Sequence, residues 1–217
     1  FDTHGQKGHY GVALASKSGP LNITRGYITD SADAQRRMIR GVYSLADGTE
    51  VTIFNGYFPQ GESRDHPVKF PAKAAFYSDL VNTLKNEYSP DDNIVVMGDF
   101  NVAPLDQDIG ITEDAKKRWL RTGKSSFLPE ERGWFEALID WGLTDSWRSV
   151  NPDTSDRYSW FDYRSRGFED DPKRGLRIDH ILVSQPLLAR MNDCGIDYTL
   201  RAMEKPSDHC PIWISIE

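Results

Sequence analysis

Residues 93–101 read Asn-Ile-Val-Val-Met-Gly-Asp-Phe-Asn (NIVVMGDFN). A short unbroken apolar run predicts a strand buried on both faces, as in the middle of a covered sheet. The run stops at Gly98-Asp99, so a carboxylate and then an amide, Asn101, stand where the strand ends. Upstream, Pro71 opens a helix predicted to reach about Tyr88. Phe76, Leu80, Leu84 and Tyr88 recur there every four residues as one apolar stripe. Before it, Met38–Leu45 and Glu50–Phe58 read as strands joined at Asp47-Gly48, a strong hairpin signal. Gly11–Ser16 is a further strand, preceded by a Gly/His-rich loop over His4–Tyr10. Downstream, helices are predicted around Thr112–Arg121 and Glu130–Trp141. Strands are predicted at Arg177–Val183 and Cys210–Ile216, with a weaker one at Ile196–Ala202. Hairpins mixed with crossovers predict a mixed-sheet α/β sandwich rather than a purely parallel fold.

The 217 residues suit one domain, 1–217, with no repeat and no Pro/Gly/Ser-rich linker to divide it. With 38% apolar and 27% charged residues, a packed core is expected and whole-chain disorder is not. The net charge of −7 argues against sequence-independent wrapping of DNA over the whole surface. It leaves room for one basic face around a carboxylate-rich centre. Cys194 and Cys210 lie in no CxxC or Cys/His cluster, so neither a disulfide scaffold nor a structural zinc site is expected. No apolar run approaches a membrane span. No signal peptide opens the chain, and it begins at Phe1 rather than Met, which reads as a cleaved chain or a fragment.

The chemistry-bearing residues stand at predicted strand ends. Asp99 and Asn101 follow one strand, Asp179 lies inside another, and Asp208-His209 precede the last. Carboxylates converging at such ends suit a hard cation such as Mg²⁺. Asp99 and Asn101, two apart on an extended segment, point to one side and could activate and place one water. His209 could donate a proton or stabilise charge on a phosphate, with Asp179 orienting it. Taken singly, each residue is more often structural. Gly-Asp is a common turn, and a lone histidine is usually a satisfied core group.

The combination is more specific. GDFN at 98–101, the RIDH run to His180 and SDH at 207–209 occur in an order that resembles the endonuclease/exonuclease/phosphatase superfamily. The longer blocks resemble bacterial exonuclease III. They are HGQKGHYGVAL from His4, NGYFPQGESRDHPVKFPAK from Asn55, KRWLRTGK from Lys117, SFLPEER from Ser126, SWFDYRSRGF from Ser159, GLRID from Gly175 and MEKPSDH from Met203. The resemblance implies a four-layer α/β sandwich, two mixed sheets face to face with helices outside. It implies that Tyr57 touches the scissile phosphate, Asp99 activates water, Asn101 positions it, and Asp179 orients His209. Asp208, with Asp99 and Asn101, would lie at the metal, Mg²⁺ or Mn²⁺ in its place. The implied activity is 3′→5′ exonucleolytic removal of nucleotides from duplex DNA and incision 5′ to abasic sites, leaving 3′-hydroxyl and 5′-phosphate.

Basic and aromatic residues are candidates for the DNA: Arg37, Gln60, Lys69, Trp160, Phe161 and Tyr10, with Arg36, Lys73 and Lys116–Arg118 as further phosphate contacts. Trp160 and Phe161 either line a pocket for a base-free sugar or belong to the core. The expected partner is duplex DNA with 3′ ends, nicks or abasic sites. The protein itself is expected to be monomeric, cytoplasmic and nucleoid-associated, with no membrane partner. The family's opening strand–helix–strand, with an asparagine and the principal metal-binding glutamate, is not matched ahead of His4. The 217 residues alone are therefore expected to turn over weakly or not at all. The rival expectations are a lipid or RNA phosphodiesterase of the same superfamily and a catalytically inert DNA-binding module.

Overall fold

A computed structural model of the chain describes residues 1–8 and 10–217; His9, within the expected His4–Tyr10 loop, lies outside the described residues. The elements in chain order are β1 (Asp2–Gly5), β2 (Gly11–Leu14), β3 (Asn22–Arg25), β4 (Met38–Ser44), β5 (Glu50–Tyr57), α1 (Lys69–Glu87), β6 (Ile94–Asp99), α2 (Glu113–Arg121) and α3 (Pro129–Trp141). They continue with β7 (Leu143–Asp145), α4 (Ser146–Val150), β8 (Asp179–Ser184), α5 (Gln185–Leu188), β9 (Met191–Ile196), α6 (Tyr198–Arg201) and β10 (Ile212–Ile216).

The principal sheet has six strands in the order β3-β4-β5-β6-β8-β7. Only β5–β6 is parallel, with α1 as its crossover. The apolar run of β6 occupies the middle of this sheet and is covered on both sides, because successive residues point to opposite faces. Ile94 and Val96 join Phe54 and Leu182 beneath Phe76, Tyr77, Leu80 and Leu84 of α1 and Phe135 and Leu138 of α3. Val95 faces the other way, with Val51, Ile181 and Val183, against Ile212, Ile214 and Ile216 of β10. Leu14 and Val12 of β2 pack on Ile39 and Tyr43 farther along that face. This second β layer consists of two antiparallel pairs, β1–β2 and β9–β10. The result is the mixed α/β sandwich that the sequence pattern predicts.

Local chemistry sets the boundaries. Helix α1 begins at Lys69, two residues before Pro71, whose missing N–H falls in the first turn where no intrahelical partner exists anyway. Thr112 Oγ1 caps α2 by accepting from the Ala115 amide at 3.3 Å. The expected strand at Ile196–Ala202 is not formed. Strand β9 ends at Ile196, and the Asp197 carboxylate then caps the short helix α6 through the Leu200 amide at 3.0 Å. The Gly/His-rich opening contributes β1, which pairs with β2 from Asp2↔Leu14 to Gly5↔Gly11. Gly98 is the glycine the site depends on. Its φ is +135°, and a Cβ there would lie 1.9 Å from the Gly56 carbonyl oxygen.

Candidate active site

Strand register, rather than sequence proximity, assembles the centre. Tyr57 at the end of β5 pairs with Asp99 at the end of β6, and Asp99 pairs with Asp179 at the start of β8. Three residues far apart in sequence therefore form one row across three adjacent strands. His209, in the bend before β10, completes the group, with Nδ1 2.9 Å and 3.0 Å from the two carboxylate oxygens of Asp179.

Asn101 is locked to Asp99. Its backbone N–H donates to Asp99 Oδ1 at 2.9 Å and its Nδ2 donates to Oδ2 at 2.8 Å. The same Nδ2 also donates to the Phe58 carbonyl at 3.0 Å. Each oxygen of Asp99 thus accepts one bond from Asn101 and keeps a lone pair for another ligand. Burial and the nearby Asp179 charge push the Asp99 carboxyl up to about 7; His209, the Asn101 amide and Lys73 oppose that rise. Burial pulls His209 down, but its bond to Asp179 and the charges of Asp179, Asp99 and Asp208 overcome this, and the imidazole rises to about 9. The histidine is therefore an imidazolium at neutral pH, held by the carboxylate that orients it.

Ligand atoms of Asp99, Asp179 and His209 lie within 4.8 Å of one another. Two half-buried carboxylates, one with its pKa raised by the other, fit a hard divalent cation, which would relieve their repulsion and accept their oxygens. Asp208 departs from expectation. Its carboxylate lies outside this cluster and instead accepts from the Trp160 indole Nε1 at 3.0 Å.

The cleft above the row, about 270 Å³, is lined by Tyr57, Gln60, Asp99, Asn101, Trp160 and His209. Trp119, Lys124 and Ser126 line it too, and no residue-level assignment anticipated these three. The signal for them was that they fall inside the KRWLRTGK and SFLPEER blocks. The Lys124 ammonium sits 3.5 Å from the centroid of the Trp119 ring, which stacks on Phe127.

Several residues expected to meet DNA are buried or paired within the protein. Phe161, 0% exposed, is core, packed with Tyr158 and Cys210. Trp160, its neighbour in an extended stretch, faces the cleft. Arg37 is buried beneath two tyrosines, its guanidinium 3.8 Å from the Tyr10 ring centroid and 4.6 Å from that of Tyr57, and it donates to the Tyr57 carbonyl at 3.0 Å. It supports those rings rather than presenting its charge. Lys73 is fully buried and ion-paired with Glu131 at 2.5 Å. Lys69 is exposed but pairs with Glu62 at 2.5 Å. Gln60 donates to Ser125 Oγ at 2.8 Å. Tyr10 is partly exposed, its ring 6.2 Å from that of Tyr57.

Comparison with known proteins gives the family. Residues 1–209 match the endonuclease/exonuclease/phosphatase family. The chain is 59% identical over 210 residues to exodeoxyribonuclease III of Haemophilus influenzae, covering 97% of this chain and 78% of that protein. It superposes on an AP endonuclease from Archaeoglobus fulgidus with a TM-score of 0.87 at 30% identity, covering 100% of this chain and 78% of the other. It also superposes on a 3′ phosphatase from Neisseria bound to a product DNA hairpin, with a TM-score of 0.84 at 36% identity, covering 98% and 77%. The chain belongs to the endonuclease/exonuclease/phosphatase family, in its exodeoxyribonuclease III branch.

Proposed function

We propose that this protein hydrolyses phosphodiesters of duplex DNA, removing nucleotides from 3′ ends and incising 5′ to abasic sites, with Mg²⁺ as its cation. The observation that carries the reading is the row Tyr57–Asp99–Asp179 with His209 bonded to its end. The names of the relatives support DNA as the substrate.

Asp99, held by Asn101 and with a pKa near neutrality, accepts a proton from the attacking water. His209, charged and aimed by Asp179, stabilises the phosphoryl oxygens as negative charge builds on them. Tyr57 borders the scissile phosphate, and Trp160 offers an aromatic face to the unstacked strand or base-free sugar. The 3′ oxygen leaves, so the products carry a 3′-hydroxyl and a 5′-phosphate. A divalent cation held by Asp99 and Asp179 would supply Lewis-acid stabilisation of the phosphoryl charge and lower the pKa of Asp99. Mn²⁺ would serve the same donors.

Among the described residues the cluster offers the cation two carboxylates, with the charged His209 beside them. The reading also takes the protein to be a monomer acting on chromosomal DNA in the cytoplasm. Among the described residues, no helix is long and apolar enough to cross a membrane.

The test is cleavage of a labelled duplex oligonucleotide bearing one abasic-site analogue, in Mg²⁺ and in EDTA. It is run on residues 1–217 and on a full-length protein that contains them, of the Haemophilus relative's length. Metal-dependent cleavage 5′ to the analogue by the full-length protein supports the reading. Absence of cleavage by both, with binding retained, would replace it with a DNA-binding role. Equal rates from both proteins would show that the 217 residues contain every essential group.

A further inference from the structure

Asn101 stands in the left-handed region, φ 54°. A non-glycine residue persists there only when its surroundings hold it. Two buried polar networks grip this turn, one on each of two successive carbonyls, and the side chains at their centres, Lys73 and His180, lie outside the cleft lining.

The first centres on Lys73 of α1. Its ammonium donates to the Asn101 carbonyl at 2.9 Å, to Glu131 Oε1 at 2.5 Å and to the Gln60 carbonyl at 3.3 Å, so its three N–H groups meet three acceptors. The other oxygen of Glu131 accepts from the amides of Ser126 and Leu128, each at 2.8 Å. One fully buried ion pair thus ties together the loops after β5, after β6 and before α3. Each of these loops gives the cleft a residue: Gln60, Asn101 and Ser126.

The second centres on His180 of β8, where the Val102 carbonyl lies 2.8 Å from Nε2. Arg177 Nη1 lies 3.0 Å from Nδ1. A carbonyl only accepts, so Nε2 donates to Val102, while Nδ1 faces both Arg177 and, at 3.6 Å, the Asp145 carboxylate. Arg177 is in turn fixed by the buried carboxylates of Asp108 and Asp145.

We propose that Lys73 and His180 are positioning residues, which hold the carbonyls of Asn101 and Val102 and thereby keep the Asn101 amide on Asp99. The proposal rests on Asp99 and Asn101 being the catalytic pair. Its rival is that both networks only join α1, α3 and β8 and leave catalysis alone.

The test pairs stability with turnover in the full-length protein. Lys73→Met should lower Tm sharply, because it leaves Glu131 buried without its counter-charge. Adding Glu131→Gln should recover most of that Tm while kcat on the abasic duplex stays down about 100-fold, with KM nearly unchanged. His180→Gln, which keeps a donor for the Val102 carbonyl, should retain more kcat than His180→Leu. Recovery of kcat together with Tm in the Lys73→Met/Glu131→Gln protein would overturn the proposal and leave the ion pair purely structural. Amide hydrogen exchange over Phe100–Ala103 reads the same clamp without turnover. Exchange there should quicken in the double variant, and unchanged protection would overturn the proposal. Quickened exchange in a protein whose unsubstituted form cleaves nothing would instead sink the proposed activity and leave the clamp standing.

Discussion

The two sides of the cleft are built differently. One side is the row Tyr57–Asp99–Asp179, set on the ends of three hydrogen-bonded strands. The other is carried by loops: Trp160 between α4 and β8, and Lys124 and Ser126 between α2 and α3. Strand register fixes a side chain through many cooperative backbone bonds, whereas Trp160 is held by isolated bridges to Leu176 and His209 and by its indole bond to Asp208. Tyr57, Asp99 and Asp179 stand at strand ends, and Asn101 and His209, just beyond strand ends, are tied to that row by hydrogen bonds to Asp99 and Asp179. The groups that recognise a shape sit on the loops.

The largest effect that can break this comparison is expected on the row. Asp99→Asn and Asp179→Asn should each lower kcat by about 10³-fold or more, measured as steady-state cleavage of the abasic duplex. A loss of only a few-fold from either would remove the distinction between the two sides. Asp99→Asn should also melt higher than the unsubstituted protein in EDTA, because it deletes a buried charge facing Asp179.

Next in size is the pair of neighbours on the loop side. Phe161→Ala should cost about 3–5 kcal/mol of stability, by urea titration, because it empties a fully buried aromatic site. Trp160→Ala should leave stability nearly intact and reduce abasic-site incision about 10-fold to 100-fold, with general duplex binding much less affected. Equal losses of incision and duplex binding in Trp160→Ala would show that the ring does not read the lesion.

The smallest effect concerns pH, and its sign follows from the two shifted groups. Asp99 rises from 3.8 to about 7 and His209 from 6.5 to about 9, so both bind protons more tightly in the folded state. The stability they contribute is fully present below their ordinary values. It is lost as pH rises, from about 4 to 7 through Asp99 and from about 6.5 to 9 through His209. Urea midpoints in EDTA should therefore fall from pH 5 to pH 9, and Asp99→Asn should flatten the acidic half of that slope. A midpoint that climbs over this range would place the balance of charge elsewhere.

How much of this was legible follows from what each residue's neighbours reveal. Strand β6 and helix α1 announce themselves through apolar periodicity, and Asp99, Asn101, Asp179 and His209 stand where such elements end. Strand β1, four residues reading Asp-Thr-His-Gly, carries no comparable pattern. Trp160 and Phe161 look alike in the sequence, and only packing shows which one faces inward. Lys73 and Arg37 looked like phosphate contacts because the sequence shows a charge but not its partner. Glu131 and the paired tyrosines come from distant segments that only the fold brings together. Asp208 was misplaced for a related reason, since nothing in its own stretch points to the Trp160 indole.

The register row also bears on how the protein reaches its native state. Its members come from strands joined by long connections, so the row is complete only when the crossover through α1 has closed and β8 has docked on β6. Such non-local pairings lose the most chain entropy before any contact rewards them, and they form slowly. Catalytic competence should therefore emerge late in refolding, after helical signal has returned. A nascent chain would gain β5 and β6 early in synthesis and yet remain inert until the segment bearing His209 had left the ribosome.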